Sequence, residues 1–370
     1  MILDLRRNTA GLVFALILAL ASLLALAAAR ELTPKGEPRL EKIRAALVAN
    51  AEAALARQGG SRILLQVDTN ALHEAILIEL RDDVRRTLRQ ERIPFAGFAA
   101  RDGSIEVRIR EAKDRERALS KLAPLAGATP SSARSIDIAD VGEGLIRLTP
   151  TDSGFADRLR ILCQQAIDVI EQRLASSGVA APGVQRDGLD RIRVLLPGVK
   201  DPERLSAIFN KRARITFRLV DLSMTAAQAL QGNPPPGSEV LYELNSKVPY
   251  LLLKQVAMEG GEIIDAAPGF DQRTREPIAS FRFNASGTRR FAQITQENVG
   301  RPFAIVLDDD VLSVSIIREP ILGGSGQISG SFTLEEANTI AMLLRSGTLP
   351  GHLTVVEQQV VEPEGKAGNE

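Results

Sequence analysis

The stretch that decides the fold runs from Gly326 to Glu357 and reads GQISGSFTLEEANTIAMLLRSGTLPGHLTVVE. Thr333 and Glu336 have the spacing of a capping box, in which each side chain accepts a hydrogen bond from the other residue's backbone N–H. Apolar residues then recur at helical spacing: Leu334, Ala337, Ile340, Ala341 and Leu344. Gly347 and Pro350 predict where this helix ends, and a short apolar strand follows it.

The chain before residue 221 has the same alternation of strands and amphipathic helices. A strand at residues 63–67 precedes a helix whose apolar side chains repeat every four residues: Leu72, Ile76, Leu80, Val84 and Leu88. Another helix begins after Thr151, and further strands are predicted at residues 104–110, 144–148, 191–196 and 215–220. This alternation predicts an α+β fold of ferredoxin-like type, in which helices cover one face of a sheet.

Residues 222–330 interrupt this pattern with a proline-rich loop and a strand-rich segment. We therefore predict a base domain made of residues 62–221 and 331–358, with residues 222–330 inserted as an α+β head subdomain. Glycines near the two crossings between these parts are candidate hinge residues: Gly237, Gly323, Gly324 and Gly326.

The N-terminus predicts a membrane segment. Residues 9–29 carry no charge and are long enough to cross a bilayer as a helix. A retained transmembrane anchor and a signal peptide within residues 1–30 both remain open, because Ala27 and Ala29 form an A-x-A cleavage pattern. Residues 31–61 predict a helical juxtamembrane spacer, and residues 359–370 predict a polar tail.

The composition argues against several classes of function. Lysine plus arginine and aspartate plus glutamate number 46 each, so no net charge favours nucleic acid. The single cysteine, Cys163, excludes an internal disulfide and a multi-cysteine metal site. His73 and His352 lack metal-site spacing, and the triplet at residues 308–310 is more typical of a hairpin turn than of a cation site. We expect no catalytic residues, no metal and no cofactor.

Several motifs, taken in order along the chain, resemble the SecD family of bacterial protein-export subunits. The residues that carry the resemblance include Gly59, Gly60, Asp68, Pro197, Gly198, Thr333, Glu336, Gly347 and Pro350. The most specific part is FTLEEA at residues 332–337 with LRSGTLP at residues 344–350.

The resemblance implies a non-catalytic component of the Sec machinery in the bacterial inner membrane, with most of its mass in the periplasm. It also implies three partners, namely SecF, the Sec channel and unfolded preprotein, while residues 9–29 contact the membrane. A mobile head would hold translocating polypeptide, with these head residues as candidates for contact: Phe281, Phe283, Phe291 and Ile305. In the alternative function, the chain is an assembly module that binds SecF or another membrane partner without touching substrate. The family's later membrane helices are absent from these 370 residues, so a fragment and a stand-alone form both remain open.

Overall fold

The computed structural model describes residues 37–127, 134–205, 208–209 and 211–363. The predicted membrane segment at residues 9–29 and the last seven residues of the predicted tail, 364–370, lie outside the described residues. Within the described ranges, no helix has both the length and the apolar character that a membrane crossing requires.

The α-helices are α1 (Glu37–Gln58), α2 (Thr69–Gln90), α3 (Ala112–Leu122), α4 (Asp152–Ser176), α5 (Ala226–Gln231), α6 (Ala285–Glu297) and α7 (Leu334–Ser346). The strands in the first half are β1 (Gly60–Val67), β2 (Phe98–Arg101), β3 (Ser104–Arg108), β4 (Ile136–Gly142), β5 (Leu145–Pro150), β6 (Gly183–Asp187), β7 (Arg191–Pro197) and β8 (Ile215–Val220). Those in the second half are β9 (Ser238–Glu243), β10 (Pro249–Glu259), β11 (Ile263–Phe270), β12 (Pro277–Phe283), β13 (Pro302–Leu307), β14 (Asp310–Ile316), β15 (Ser325–Ser329) and β16 (Leu353–Val361).

A central antiparallel sheet joins the two ends of the described chain. Its strand order is β16-β1-β7-β6, and Leu65 of β1 lies opposite both Val355 of β16 and Ile192 of β7. Apolar residues of α4, such as Ile170, pack on this sheet because they recur on one helix face. Along the chain the elements β1, α4, β6, β7, α7 and β16 follow the β-α-β-β-α-β order.

A second sheet lies within the long segment between β1 and α4. Its order is β2-β3-β5-β4, and all of its strand pairs are antiparallel. Helices α2 and α3 bury their apolar side chains against it, since Val84, Leu88 and Ala118 belong to the same buried cluster as Val107 and Ile146. This sheet therefore has a core of its own, separate from that of the central sheet.

The third unit, which we call the barrel unit, comprises residues 213–346. Strands β10-β8-β13-β14-β9 form a closed barrel, and β11-β12-β15 form a three-stranded sheet beside it. This unit begins before the predicted head boundary at residues 221/222, because β8 pairs with β10 and β13 of the barrel. It also extends past the predicted boundary at residues 330/331, since α7 buries Ala337, Ile340 and Leu344 in its core.

Helix α1 corrects another predicted boundary. Its residues Val48, Ala51 and Leu55 pack against Leu195 of β7, on the face of the central sheet opposite α4. The Arg44 guanidinium binds the carboxylates of two acidic residues of α4. The predicted spacer at residues 31–61 is therefore, from α1 onward, part of the folded unit. The predicted tail also begins too early, because β16 continues to Val361.

The motif residues have local structural roles. The carboxylate of Asp68 accepts hydrogen bonds from the Asn70 and Ala71 amides and caps α2. Gly60 has φ +144°, and a Cβ there would lie 2.3 Å from the Leu196 carbonyl oxygen, so only glycine fits. Gly198 follows Pro197 at the end of β7 and donates to the carbonyl of Gly59 at 2.9 Å.

Both halves of the predicted capping box are present on α7. The Thr333 amide donates to the Glu336 carboxylate at 2.7 Å, and the Glu336 amide donates to the Thr333 hydroxyl at 3.1 Å. Gly347 ends the helix with φ +79°, and Pro350 lies in the turn before β16. Helix α7 therefore begins and ends where the sequence predicts.

Candidate functional site

A cluster of phenylalanine rings forms the centre of the barrel unit. Four ring centroids lie 5.6–5.9 Å from that of Phe217, namely those of Phe281, Phe283, Phe291 and Phe303. All five side chains are buried. Aromatic rings at these distances attract one another beyond the effect of burial alone. The cluster therefore provides a well-packed apolar floor.

A cleft of about 120 Å³, which we call the apolar cleft, opens on one side of this floor. Its lining consists of Phe281, Phe291, Phe303, Ile305, Ser313, Ser315, Ile316, Ile317, Ile321, Gly326 and Gln327. The deep part is aromatic, and the serines of β14 add hydroxyl groups to one wall. Such a mixture of apolar surface with a few polar groups is typical of binding sites.

The rim of the apolar cleft exposes large apolar side chains. Ile316 is 62% exposed, and Ile321 and the neighbouring Leu322 are also exposed. Single exposed aliphatic side chains are common on protein surfaces, whereas a group beside an apolar cleft is typical of an interaction site.

Two strand edges border the apolar cleft. β14 pairs along its length with β13, but its pairing with β9 involves only Asp310 and Val311. β15 pairs with β12 and ends the three-stranded sheet. At one end the strands are close, since a Cβ on Gly330 would lie 3.0 Å from the Leu312 carbonyl oxygen. Among the described residues, the remaining facing edges of β14 and β15 have no strand partner.

The structure brings three of the four candidate contact residues together. Phe281, Phe291 and Ile305 line the apolar cleft, whereas Phe283 lies in the core and is absent from the lining. The two candidate phenylalanines, Phe281 and Phe291, are themselves buried, so they form the floor rather than an exposed surface. Sequence reasoning missed Ser313 and Ser315, although their alternation with apolar residues in β14 was the available signal.

The candidate hinge glycines do not lie at the crossings between units. Gly237 accepts a hydrogen bond from the Lys254 amide, and Gly324 accepts one from the Phe283 amide. Gly326 is in β15, and Gly323 lies just before that strand. All four are inside the barrel unit. The glycines instead permit tight turns and close packing there.

The crossings lie elsewhere and involve the acidic triplet. The Asp308 carboxylate accepts hydrogen bonds from the backbone amides of Ala213 at 3.2 Å and Arg214 at 2.9 Å. Asp310 forms a salt bridge with Lys211 at 3.3 Å. The triplet therefore fastens the chain where it enters the barrel unit. Nowhere in the described ranges does a group of three or more His, Cys, Asp or Glu residues have a metal-binding arrangement.

The remaining candidates for chemistry occupy packed positions. Burial raises the pKa of the Cys163 thiol to about 11, and the thiol donates to the carbonyl of Leu189 at 3.6 Å. A thiol that remains protonated at neutral pH is a poor nucleophile. The His73 ring packs against Phe155 with centroids 5.8 Å apart. These two side chains therefore contribute to packing.

Comparison with known proteins identifies the parts of the chain. A family model described as the P1 head subdomain of SecDF matches residues 238–351, a range that includes α7. A second model, described as the N-terminal part of the P1 domain of the protein translocase subunit SecDF, matches residues 163–222.

Curated relatives match most of the chain. The protein translocase subunit SecD of Rickettsia bellii is 33% identical over 310 residues, which are 83% of this chain and 58% of that protein. SecD of Acetobacter pasteurianus is 34% identical over the same shares of the two chains. The chain thus spans a little over half the length of these relatives.

Solved structures of SecDF are also similar. One, described as a membrane component that enhances protein export, is 34% identical, covers 53% of this chain and 92% of that chain, and has a TM-score of 0.43. Another, SecDF in a super-membrane-facing form, is 24% identical, covers 86% of this chain and 35% of that chain, and has a TM-score of 0.47.

Proposed function

We propose that this chain, which belongs to the SecD family of protein translocase subunits, holds an extended segment of translocating polypeptide in the apolar cleft. Family membership supports a role as an accessory component of Sec-dependent protein export. The observation that carries the finer proposal is the position of the apolar cleft between two strand edges, above an aromatic floor.

Backbone hydrogen bonding suits this role. A strand edge binds an extended peptide through main-chain groups, which every sequence offers, and pockets then select some side chains. The facing edges of β14 and β15 supply such groups, and the rings of Phe281 and Phe291 supply an apolar pocket between them. A protein that handles many different preproteins needs this kind of weakly selective recognition.

The lining of the apolar cleft suits a binding partner of no particular charge. Among the described residues, no charged side chain lines it, and the polar groups in its lining are two serines, one glutamine and the backbone. Apolar segments of an unfolded chain fit such a lining, because burying them there removes apolar surface from water.

We further propose that residues 9–29 anchor the chain in the inner membrane, with the apolar cleft on the periplasmic side and SecF and the channel as its neighbours.

Site-specific photocrosslinking in membrane vesicles tests the proposal. The full chain would carry a photoreactive amino acid in place of Ile316, at the rim, while an arrested preprotein occupies the Sec channel. The matched control is Ile264, which is 56% exposed compared with 62% for Ile316 but lies on β11, at the opposite edge of the three-stranded sheet.

We expect crosslinks to the preprotein from position 316 and few from position 264. Equal crosslinking from the two positions, or none from position 316, would contradict binding in the apolar cleft. Crosslinks from position 316 to SecF alone would instead favour the assembly function.

A further inference from the structure

Arg173 on α4 has a fully buried side chain. Its five N–H groups donate to five oxygens: Ser346 Oγ at 3.2 Å, Ile208 O at 2.7 Å, Lys211 O at 2.7 Å, Arg212 O at 3.0 Å and Gly347 O at 3.0 Å. All five acceptors are neutral. Burial lowers the pKa of this guanidinium to about 10, so it keeps its charge and its donors at neutral pH. A buried charge is costly unless hydrogen bonds compensate for it, as they do here.

The acceptors belong to the two places where the chain crosses between the central sheet and the barrel unit. Ile208, Lys211 and Arg212 lie between β7 and β8, on the way into the barrel unit. Ser346 is the last residue of α7, and Gly347 follows it on the way back to β16 of the central sheet. A single side chain of α4, which packs on the central sheet, therefore holds both crossings.

Further hydrogen bonds tie the two crossings to each other. The Leu349 amide donates to the Arg212 carbonyl at 2.8 Å, and the Thr348 hydroxyl donates to the Ala213 carbonyl at 3.1 Å. Beside Arg173 on α4, the Gln172 side chain donates to the Arg345 carbonyl at 3.1 Å. The crossings thus form one connected layer beneath the barrel unit.

The barrel unit holds the same layer from the other side. The Asp308 carboxylate accepts from the amides of Ala213 and Arg214, and Asp310 pairs with Lys211. A crevice of about 190 Å³, lined by Ala213, Gly261 and Gly347 among others, lies beside the layer. The central sheet and the barrel unit are therefore joined by directional hydrogen bonds, and the crevice lies next to them.

We propose that Arg173 is the residue that positions the barrel unit on the central sheet, by fastening both crossings through its five donors. The planar guanidinium matches this role because its donors point in fixed directions. Lysine at this position would keep the charge but offer only three donors from a single point. The glycine-rich segment at residues 323–326 is internal to the barrel unit and cannot set this orientation.

Distance measurements between the two units test the proposal. Spin labels on Leu189→Cys, in the turn between β6 and β7, and on Leu222→Cys, just after β8, report the distance between central sheet and barrel unit. Both positions are 69% exposed, whereas Cys163 is buried and is not expected to react with the labelling reagent. A second pair, Leu222→Cys with Ile264→Cys, lies within the barrel unit and is the control.

In Arg173→Lys we expect a broadened or shifted distance distribution for the pair between units and no change for the pair within the barrel unit. Hydrogen exchange at the Leu349 amide should also become about tenfold faster, since charge-assisted hydrogen bonds to its crossing are lost. If Arg173 only stabilised the fold, the folded variant would show the same distance distribution between units and the same hydrogen exchange at the Leu349 amide as the wild type. An unchanged distribution between units in folded Arg173→Lys would overturn the proposal.

Asp308→Asn provides a second, independent variant on the barrel side. Asparagine tolerates the positive φ of 56° at this position but keeps only one carboxylate-like oxygen for the two amides. We expect it to broaden the same distribution. If Arg173→Lys does not fold, the Asp308→Asn measurement decides alone, and an unchanged distribution there would equally overturn the proposal.

Discussion

Gly326 lies directly against the ring of Phe281, and a Cβ at Gly326 would come within 2.5 Å of the ring's Cζ atom. The two residues are partners in neighbouring strands, since Phe281 of β12 is opposite Gly326 of β15. The absence of a side chain on β15 thus allows the aromatic floor of the apolar cleft to extend beneath that strand.

Gly326→Ala should destabilise the barrel unit. The added methyl group must displace a buried ring, and overpacking of this kind costs about 1–3 kcal/mol. Urea denaturation would measure the change in the free energy of unfolding. Gly261→Ala is the matched control, because a Cβ there would meet no atom within 4 Å. Equal effects of the two substitutions would contradict the packing argument.

Removing the cap of α7 should cost more than removing the cap of a peripheral helix. Thr333→Ala deletes one half of a capping box on a helix with six buried residues, and we expect a loss of about 1 kcal/mol. Thr225→Ala deletes the same kind of cap on α5, a helix of six residues with Ala229 as its buried residue. Thermal and urea unfolding should show the smaller effect for Thr225→Ala, and the reverse order would be inconsistent with the role given to α7.

The buried thiol of Cys163 should make stability depend on alkaline pH. Burial raises its pKa to about 11 in the folded chain, whereas the thiol of an unfolded chain has a pKa of about 8.5. Between these values the unfolded state loses the proton first, so rising pH favours unfolding. The unfolding free energy of the wild type relative to Cys163→Ala should therefore fall from pH 8 to pH 10.5. A difference that stays constant over this range would refute the assignment.

A charge at the rim of the apolar cleft should weaken peptide binding without unfolding the protein. Ile316→Asp places a carboxylate beside the apolar lining, and we expect about a tenfold loss of affinity for extended apolar peptides. Fluorescence anisotropy with labelled peptides would measure it. Ile264→Asp, on the far edge of the three-stranded sheet, should leave affinity unchanged. Equal losses for both variants would point to a general effect of charge instead of a site.

Short-range patterns in the sequence were sufficient for the elements themselves. The capping box of Thr333 and Glu336, the stripe at Ile76, Leu80 and Val84, and the alternation of apolar and charged residue types at 105–108 all depend on neighbours a few residues apart. Side-chain periodicity and backbone capping are local properties, so they can be read without knowing what the element packs against.

Assignment of elements to units was less successful. The sequence suggested that β8, α7 and β16 all belong to the base domain, because they fit the strand–helix alternation that residues 222–330 interrupt. The structure places β8 and α7 in the barrel unit, where α7 buries Leu344 and β8 buries Phe217. An amphipathic pattern states which face of a helix is apolar but not which of two cores receives it.

For the candidate site too, the residues were predictable from the sequence, but their arrangement was not. Composition and motifs led to the head, and Phe281, Phe291 and Ile305 do lie around one cleft. Its lining combines residues of β14 and β15, which are brought together only by the tertiary fold, and no local pattern encodes that. The placement of hinges at glycines also followed a local rule, whereas the crossings are held by Arg173 and Asp308 from distant parts of the chain.

The sequence by itself determined both ends of α7, the apolar stripe of α2, the family, and the residue types available to each surface. Only the tertiary structure decided which core each element joins, because burial depends on partners far apart in the chain. The tertiary structure also gave Arg173 its role between the two units. The carbonyl groups that Arg173 binds come together only after the chain has crossed between the units twice.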